Sequence, residues 1–348
     1  MADHKYTELA NKLRDDILSG AYTEGSRLPS ENELAEQTGY SRQTVRQALG
    51  VLEREGIARR VQGSGTFVQR PPLRSTRTGN IAVVTTYISE YIFPSILDSM
   101  EAVLEKNSYT PMLFATRNRV DNERRILQLL QHKPIDGLIV EGTKTALPNP
   151  NIDLYQEIAE LGIPIVLLSG FYPELKNSVY VVTDDRAGGR MACERLLRAG
   201  HKRIAGIFKS DDIQGHRRYA GYMEALQHAG LSVEDNHVLW YTTENRDSML
   251  AAFAAQAVHG CTAAVCYNDE TTLELISVMQ KQGIRIPQQL ELVSFDNSAF
   301  AQLSQVPFVS LTSPKEDLGR LAAEKMIDLL AGNEQTSLVL PWGLDETE

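Results

Sequence analysis

The chain has 348 residues, 42% of them apolar, and a net charge of −10. That length exceeds one small domain and that apolar share excludes wholesale disorder, so two or three folded units are expected. The charge is unevenly spread: residues 1–77 hold 12 Lys and Arg against 10 Asp and Glu, and residues 42–77 hold 8 against 2. A small basic unit joined to an acidic partner fits that asymmetry, so the negative total does not exclude nucleic acid. Cys193, Cys261 and Cys266 lack metal-ligand spacing, and the last two flank an apolar run, as reduced core residues do. The amino terminus carries no apolar leader segment and no run reaches membrane-spanning length. A cytoplasmic chain with no membrane partner, metal or cofactor is therefore expected.

Tyr6, Leu9, Leu13 and Ile17 fall at helical spacing, with Gly20 as a stop. Ser30 followed by Glu33 is a capping box opening a short second helix that ends near Gly39. Ser41 caps a third helix, with Val45, Leu49 and Leu52 on its apolar face and Gly56 at its end. Two helices joined across Thr38-Gly39-Tyr40 form a helix-turn-helix pattern, whose second helix presents its first residues to the major groove. Those residues are Ser41, Arg42, Gln43, Thr44 and Arg46. Arg pairs with guanine and Gln with adenine, while Ser41, Thr44 and the helix start suit phosphate. The alternative is that Arg42 and Arg46 simply solvate an exposed face. After Gly56 the pattern alternates, with a hairpin over 57–68 and a glycine-rich tip at 62–65. No helix follows that tip, so it reads as a wing resting on the DNA backbone, charged by Arg59 and Arg60, rather than as a dinucleotide turn.

The segments LRDDILSGAY, RLPSE followed by ELA, SRQTVRQAL, LEREG and QGSGTFV resemble the GntR family of winged-helix regulators over about residues 5–70. The resemblance implies double-stranded DNA contacts from Ser30, Arg42, Gln43, Thr44 and Arg46, and from Gln62 and Gly63 in the wing. Asn32 stands where some branches of the family carry an arginine, which removes one base contact from the carried-over set.

Residues 71–79 read as an extended linker. Beyond them, apolar strand candidates at 81–85, 138–140, 165–168, 204–208, 263–267 and 292–295 alternate with helix candidates at 94–106, 123–131, 187–199, 216–229 and 271–282. Such alternation predicts parallel, doubly wound sheets, and the length allows two. Ligands of these folds lie beyond the carboxyl ends of the strands. The residues there include Tyr91, Glu141, Tyr172, Gln214, Arg218, Asn268 and Asp296. Carboxylates, amides, an arginine and aromatic faces suit a neutral polyol, whose hydroxyls both donate and accept. Singly, Asp185 or Asn268 would serve equally well as a helix cap. No GxSxG, HExxH, Walker loop or glycine-rich dinucleotide turn points to an enzyme.

The stretches VTDDRAGGRMACERLLRAGHKRIAGI, RRYAGYMEAL and SFDN resemble the effector domains of lac-repressor and periplasmic sugar-binding proteins. That resemblance implies a periplasmic-binding-protein type I fold over 80–348, with two lobes and three crossovers. Lobe one is expected over about 80–173 and 297–333, lobe two over about 174–296 and 334–348. Arg218 and Asp296 would bond ligand hydroxyls, with Asn268 and Gln214 lining the cleft. The pairing of this sensor with a GntR-type reader, together with TTYISEYIFPSI, GLIVEGTK and GIFKSDDIQG, resembles the family of arabinose repressors. It implies L-arabinose as effector and control of arabinose-utilisation genes, and the docking geometry of helix-turn-helix readers adds the expectation of a homodimer on a near-palindromic operator. The alternatives are another sugar effector, a transport component or a sugar-modifying enzyme.

Overall fold

A computed structural model describes residues 2–18, 21–23, 25–54, 56–61, 64–69, 77–176 and 178–344. It divides into two units, Met1–Arg77 and Thr78–Glu348. In the first, α1 (Ala2–Leu18), α2 (Glu31–Thr38) and α3 (Arg42–Arg54) precede β1 (Ala58–Val61) and β2 (Gly65–Val68). The helical spacing places Leu9 and Leu13 in a common core with Leu34, Val45, Leu49 and Leu52. The capping box at α2 is formed in both directions. Ser30 Oγ accepts from the Glu33 amide at 3.3 Å, and a Glu33 carboxylate oxygen accepts from the Ser30 amide at 2.6 Å. Gly39 ends α2 at φ +70°, a conformation that favours glycine. Ser41 Oγ accepts from the Thr44 amide at 3.2 Å, opening α3. The two strands pair antiparallel with Arg60 opposite Thr66, as expected for the wing. Gly20, Gln62, Gly63, Arg70 and residues 71–76 of the linker lie outside the described residues.

The second unit contains two parallel sheets. The strands and helices in chain order are β3 (Asn80–Thr85), α4 (Phe93–Lys106), β4 (Thr110–Ala115), α5 (Val120–Gln131), β5 (Gly137–Glu141), α6 (Ile152–Glu160), β6 (Ile165–Leu168) and β7 (Val179–Thr183). There follow α7 (Asp185–Arg198), β8 (Ile204–Lys209), α8 (Ile213–His228), β9 (Val238–Tyr241), α9 (Arg246–Ala257), β10 (Ala263–Cys266) and α10 (Asp269–Lys281). The chain closes with β11 (Glu291–Asp296), α11 (Ala299–Leu303), β12 (Val309–Thr312), α12 (Lys315–Leu330) and β13 (Leu338–Leu340). One sheet has the order β13-β7-β6-β5-β3-β4, the other β12-β11-β10-β8-β9. Helices cover both faces, which is why β3 reads as a nearly unbroken apolar run with Ile81, Ala82, Val83 and Val84 all buried.

The chain crosses between lobes after β7, after β12 and after β13. These positions differ from the expected ones. Residues 174–183 stay in the first lobe because β7 pairs with β6, and 297–312 stay in the second because β12 pairs with β11. Residues 334–340 return to the first because β13 pairs with β7, after which Trp342 joins the second lobe's core. Strand partnership across the chain decides these boundaries, and local periodicity does not carry it.

Within the second lobe α7 and α8 touch backbone to backbone. A Cβ on Gly221 would lie 1.9 Å from the Arg186 carbonyl oxygen, and one on Gly189 would lie 2.0 Å from that of Arg218. Neither helix can move aside without disturbing the sheet beneath. Gly221→Ala is therefore expected to lower stability by at least about 1–3 kcal/mol, read as a lower urea midpoint in equilibrium unfolding.

Candidate functional site

In the first unit the exposed start of α3 carries Arg42 and Gln43. Ser41 and Thr44 bond each other through their hydroxyls at 2.9 Å, and the Ser30 hydroxyl is engaged in the capping box. Arg46 makes a forked contact to Glu31, with Nη2 at 2.8 Å and Nε at 3.1 Å. Arg60 of β1 donates to Glu31 Oε1, the oxygen that also accepts from Arg46 Nε. The hydrogen bond from Arg46 and the charges of Arg46 and Arg60 hold the Glu31 carboxyl below its ordinary range despite some burial. Glu31 thus gathers an arginine from the recognition helix and one from the wing at the start of α2. Glu31 is the glutamate of the RLPSE segment, and nothing in its local spacing signals this role.

In the second unit the strand ends of both sheets face a cleft of about 300 Å³. Tyr91, Glu141, Gln214, Arg218, Asn268 and Asp296 line it. Each of the three crossovers contributes a wall residue, Thr183, Ser313 and Trp342. Tyr172 does not line it. That ring is buried, and its hydroxyl accepts from the Thr143 amide at 2.6 Å and donates to Glu123 at 2.9 Å. The expectation for Tyr172 is therefore corrected: the chain after β6 turns the ring into the lobe, where two partners satisfy its polar end.

Arg218 is the centre of the second lobe's wall. Its Nε donates to Asp185 at 2.9 Å, a second nitrogen donates to the Tyr267 carbonyl, and Asp296 lies 4.0 Å away. The guanidinium also sits against three rings, 4.4 Å from the centroid of Phe295 and 4.8 Å from those of Tyr267 and Trp342. Burial works against its charge, but Asp185 and Asp296 outweigh burial and raise its pKa. Burial in turn raises the Asp185 carboxyl, and the Arg218 charge offsets that only in part.

Tyr91, from the first lobe, donates to Asp296 at 2.5 Å and accepts from the Asp269 amide at 3.2 Å. Burial, then the charges of Asp296 and Asp269, push its hydroxyl well above the usual range. Tyr91, Asp296 and Asn297 have φ of +58°, +96° and +42°, strained values that accumulate at this wall. Asn268 both lines the cleft and caps α10, its amide oxygen accepting from the Thr271 amide at 3.0 Å. Gln214 Oε1 is buried with no hydrogen-bond partner among the described residues. Such an acceptor matches a donor arriving with a ligand.

Lys209, Asp212, Arg246 and Tyr267, absent from the strand-end set expected from the sequence, also line the cleft. Lys209, Asp212 and Tyr267 stand within a few residues of predicted strand ends, so extending each strand would have found them. Trp342 had no local signal, because it lies on the third crossover. Among the described residues no group of three or more His, Cys, Asp or Glu side chains could hold a metal, and no helix is long and apolar enough to cross a membrane.

Residues 5–68 match the family described as bacterial regulatory proteins of the GntR family, and residues 193–343 match the periplasmic binding protein-like domain. The chain is 37% identical to the arabinose metabolism transcriptional repressor of Halalkalibacterium halodurans, covering 94% of this chain and 89% of that one. It is 39% identical to the protein of the same name from Geobacillus stearothermophilus, covering 94% and 91%. Among solved structures, the transcriptional regulator CelR-cellobiose complex superposes with a TM-score of 0.68 at 24% identity, covering 91% of this chain and 98% of that one.

Glu141 closes the first-lobe side of the cleft, one oxygen accepting from the Thr86 amide at 2.7 Å and the Thr86 hydroxyl at 2.6 Å. Burial raises its pKa from 4.5 to about 7, against those hydrogen bonds. Between these values the folded chain retains a proton that the unfolded chain has released, so stability falls as pH rises through that window. Glu141→Gln should remove this slope, stabilising the chain at pH 8 by about 2–3 kcal/mol and changing little at pH 4.5. Denaturant titrations at the two pH values check it.

Proposed function

The chain belongs to the family of arabinose metabolism transcriptional repressors, and from that premise we propose that it represses arabinose-utilisation genes and leaves their operator when L-arabinose occupies the cleft. The observation that carries this reading is that one alignment at 37–39% identity runs through both reader and sensor, so the two halves are matched together. The chemistry of the cleft supports a sugar. Glu141, Asp296 and Gln214 offer acceptors, Arg218 and Lys209 offer donors, and Tyr267 and Trp342 offer flat faces for C–H groups. The family's members are transcriptional repressors, and the cleft is read as a binding site with no reaction assigned to it.

On the DNA side, Arg42 and Gln43 read base edges, and Ser30, Ser41, Thr44 and Arg46 fix α3 against the backbone. Arg60 with Gln62 and Gly63 lays the wing on phosphates. The working form is a cytoplasmic homodimer on a near-palindromic operator, each copy holding one half-site. Sugar draws the lobes together, shifts the dimer contact and spoils the half-site spacing, so operator and sugar oppose each other's binding reciprocally.

Fluorescence anisotropy with operator DNA should give tight binding that saturating L-arabinose weakens; unchanged affinity would remove the inducer reading. Calorimetry with a panel of aldoses assigns the effector, and a tighter heat signature for another aldose would replace arabinose. Arg42→Ala should cost roughly 1–3 kcal/mol on operator and little on random DNA, whereas Arg60→Ala should weaken both and flatten the salt dependence. Equal losses on the two DNAs for Arg42→Ala would move Arg42 from base reading to backbone contact.

A further inference from the structure

The two lobes of the sensor also meet at a polar cluster beside the cleft, on the side where β4 and β9 are the sheet edges. Lys144, in the loop after β5, places Nζ 3.3 Å from Asp211 and 2.6 Å from Glu244, which follow β8 and β9. The next two residues bond the same lobe: the Ile213 amide donates to Thr145 Oγ1 at 3.0 Å, and the Ala146 amide donates to the Asp211 carbonyl at 3.2 Å. Asn118, after β4, donates to Thr243 Oγ1 at 2.6 Å, and Thr243 donates to Asp211 through its amide at 3.1 Å and hydroxyl at 2.9 Å. Asn118 and Thr243 reach the rim of the cleft, but Lys144, Asp211 and Glu244 are not part of its lining.

The loop that carries Lys144 is held from behind by a buried carboxylate. Glu123 of α5 accepts from the Thr143 amide at 3.3 Å, Tyr155 at 2.8 Å, Tyr172 at 2.9 Å, Asn149 at 2.9 Å and Asn151 at 2.8 Å. Five donors on one carboxylate fix both ends of the segment 143–151. Lys144 has φ +47° and Asn118 has φ +52°, and the Lys144 amide donates to Asn118 Oδ1 at 2.9 Å. Left-handed backbone at two non-glycine residues persists only where the surroundings over-determine it.

We propose that Lys144, Thr145 and Ala146, engaging Asp211, Ile213 and Glu244, form a latch that sets how readily the two lobes close, and that Glu123 is the positioning residue that holds the latch in register. The latch acts on sugar affinity without touching sugar. A ligand that binds the closed form has an apparent affinity reduced by the fraction of chains that are closed. Removing a contact made only on closure lowers that fraction. The affinity half of the proposal rests on the cleft being the sugar site; the closure half does not.

The test uses the full chain with Lys144→Met, Glu244→Gln and the double variant, all away from the cleft lining. Closure is read by amide hydrogen exchange in peptides covering residues 211–214 and 268–271. The second peptide holds the Asp269 amide, which bonds Tyr91 across the lobes at a site separate from the latch. In sugar-free protein both peptides should exchange about tenfold faster in Lys144→Met than in the parent, and the double variant should add little. Saturating L-arabinose should restore protection while calorimetry gives about tenfold weaker binding. Unchanged exchange at 268–271 would reduce the cluster to a local contact and overturn the latch. Faster exchange with unchanged arabinose affinity would overturn its control of binding. If the parent itself binds no arabinose, the effector reading fails, and the exchange at 268–271 still decides the latch. Glu123→Gln turns an amide toward five donors and should reproduce the exchange of Lys144→Met, adding nothing in its background; additivity would overturn the positioning role. Should that variant fail to fold, Tyr155→Phe, which removes one donor to Glu123 and no bond to the latch loop, takes its place with a smaller shift in the same direction.

Discussion

A guanidinium buried beneath three aromatic rings costs several kcal/mol in lost hydration unless its donors are met and its charge is balanced. Arg218 meets that condition by drawing on distant parts of the chain: Asp185 at the start of α7, the Tyr267 carbonyl after β10, Asp296 at the end of β11 and Trp342 on the last crossover. Each of these must be in place for the charge to be tolerated. The wall of the second lobe is therefore built before any ligand arrives, and the surplus carboxylate charge is shared with Tyr91 from the opposite lobe.

The same physics recurs with its sign reversed. Glu123 is a buried carboxylate met by five donors, and it fixes the loop by which the first lobe engages the second. In the reader, Glu31 collects Arg46 and Arg60 and joins the starts of the recognition apparatus and the wing. That pair is more exposed, so solvent screens it and the stabilisation is modest. Its consequence is geometric, since one carboxylate gathers two cations before DNA supplies competing phosphates. In each case one charge organises elements that are remote in sequence.

Much of this was legible beforehand. The capping box at Ser30 and Glu33, the turn at Gly39 and the apolar stripe of Val45, Leu49 and Leu52 are short-range features whose physics is complete within a few residues. The strands at 165–168 and 204–208 declared themselves as unbroken apolar runs because parallel sheets bury both faces. β4 escaped notice because an edge strand is only half covered, and Leu113 stays exposed there. Tyr172 was assigned to the cleft because it follows a strand end, yet its ring turns inward, and nothing in the spacing records which way a loop side chain points.

By itself the sequence determined the reader, the alternation that makes doubly wound lobes, and the set of strand ends from which a cleft is built, because each is written in local periodicity and capping. Only the tertiary structure decided that β7 and β13 belong to the first lobe and β12 to the second. It also decided that Arg218 finds Asp185 and Asp296, that Glu31 holds two arginines, and that Lys144 reaches across to Asp211 and Glu244. Those outcomes depend on sheet order and on the cost of burying charge, which couple residues as far as 157 positions apart and leave no pattern in any short window of the chain.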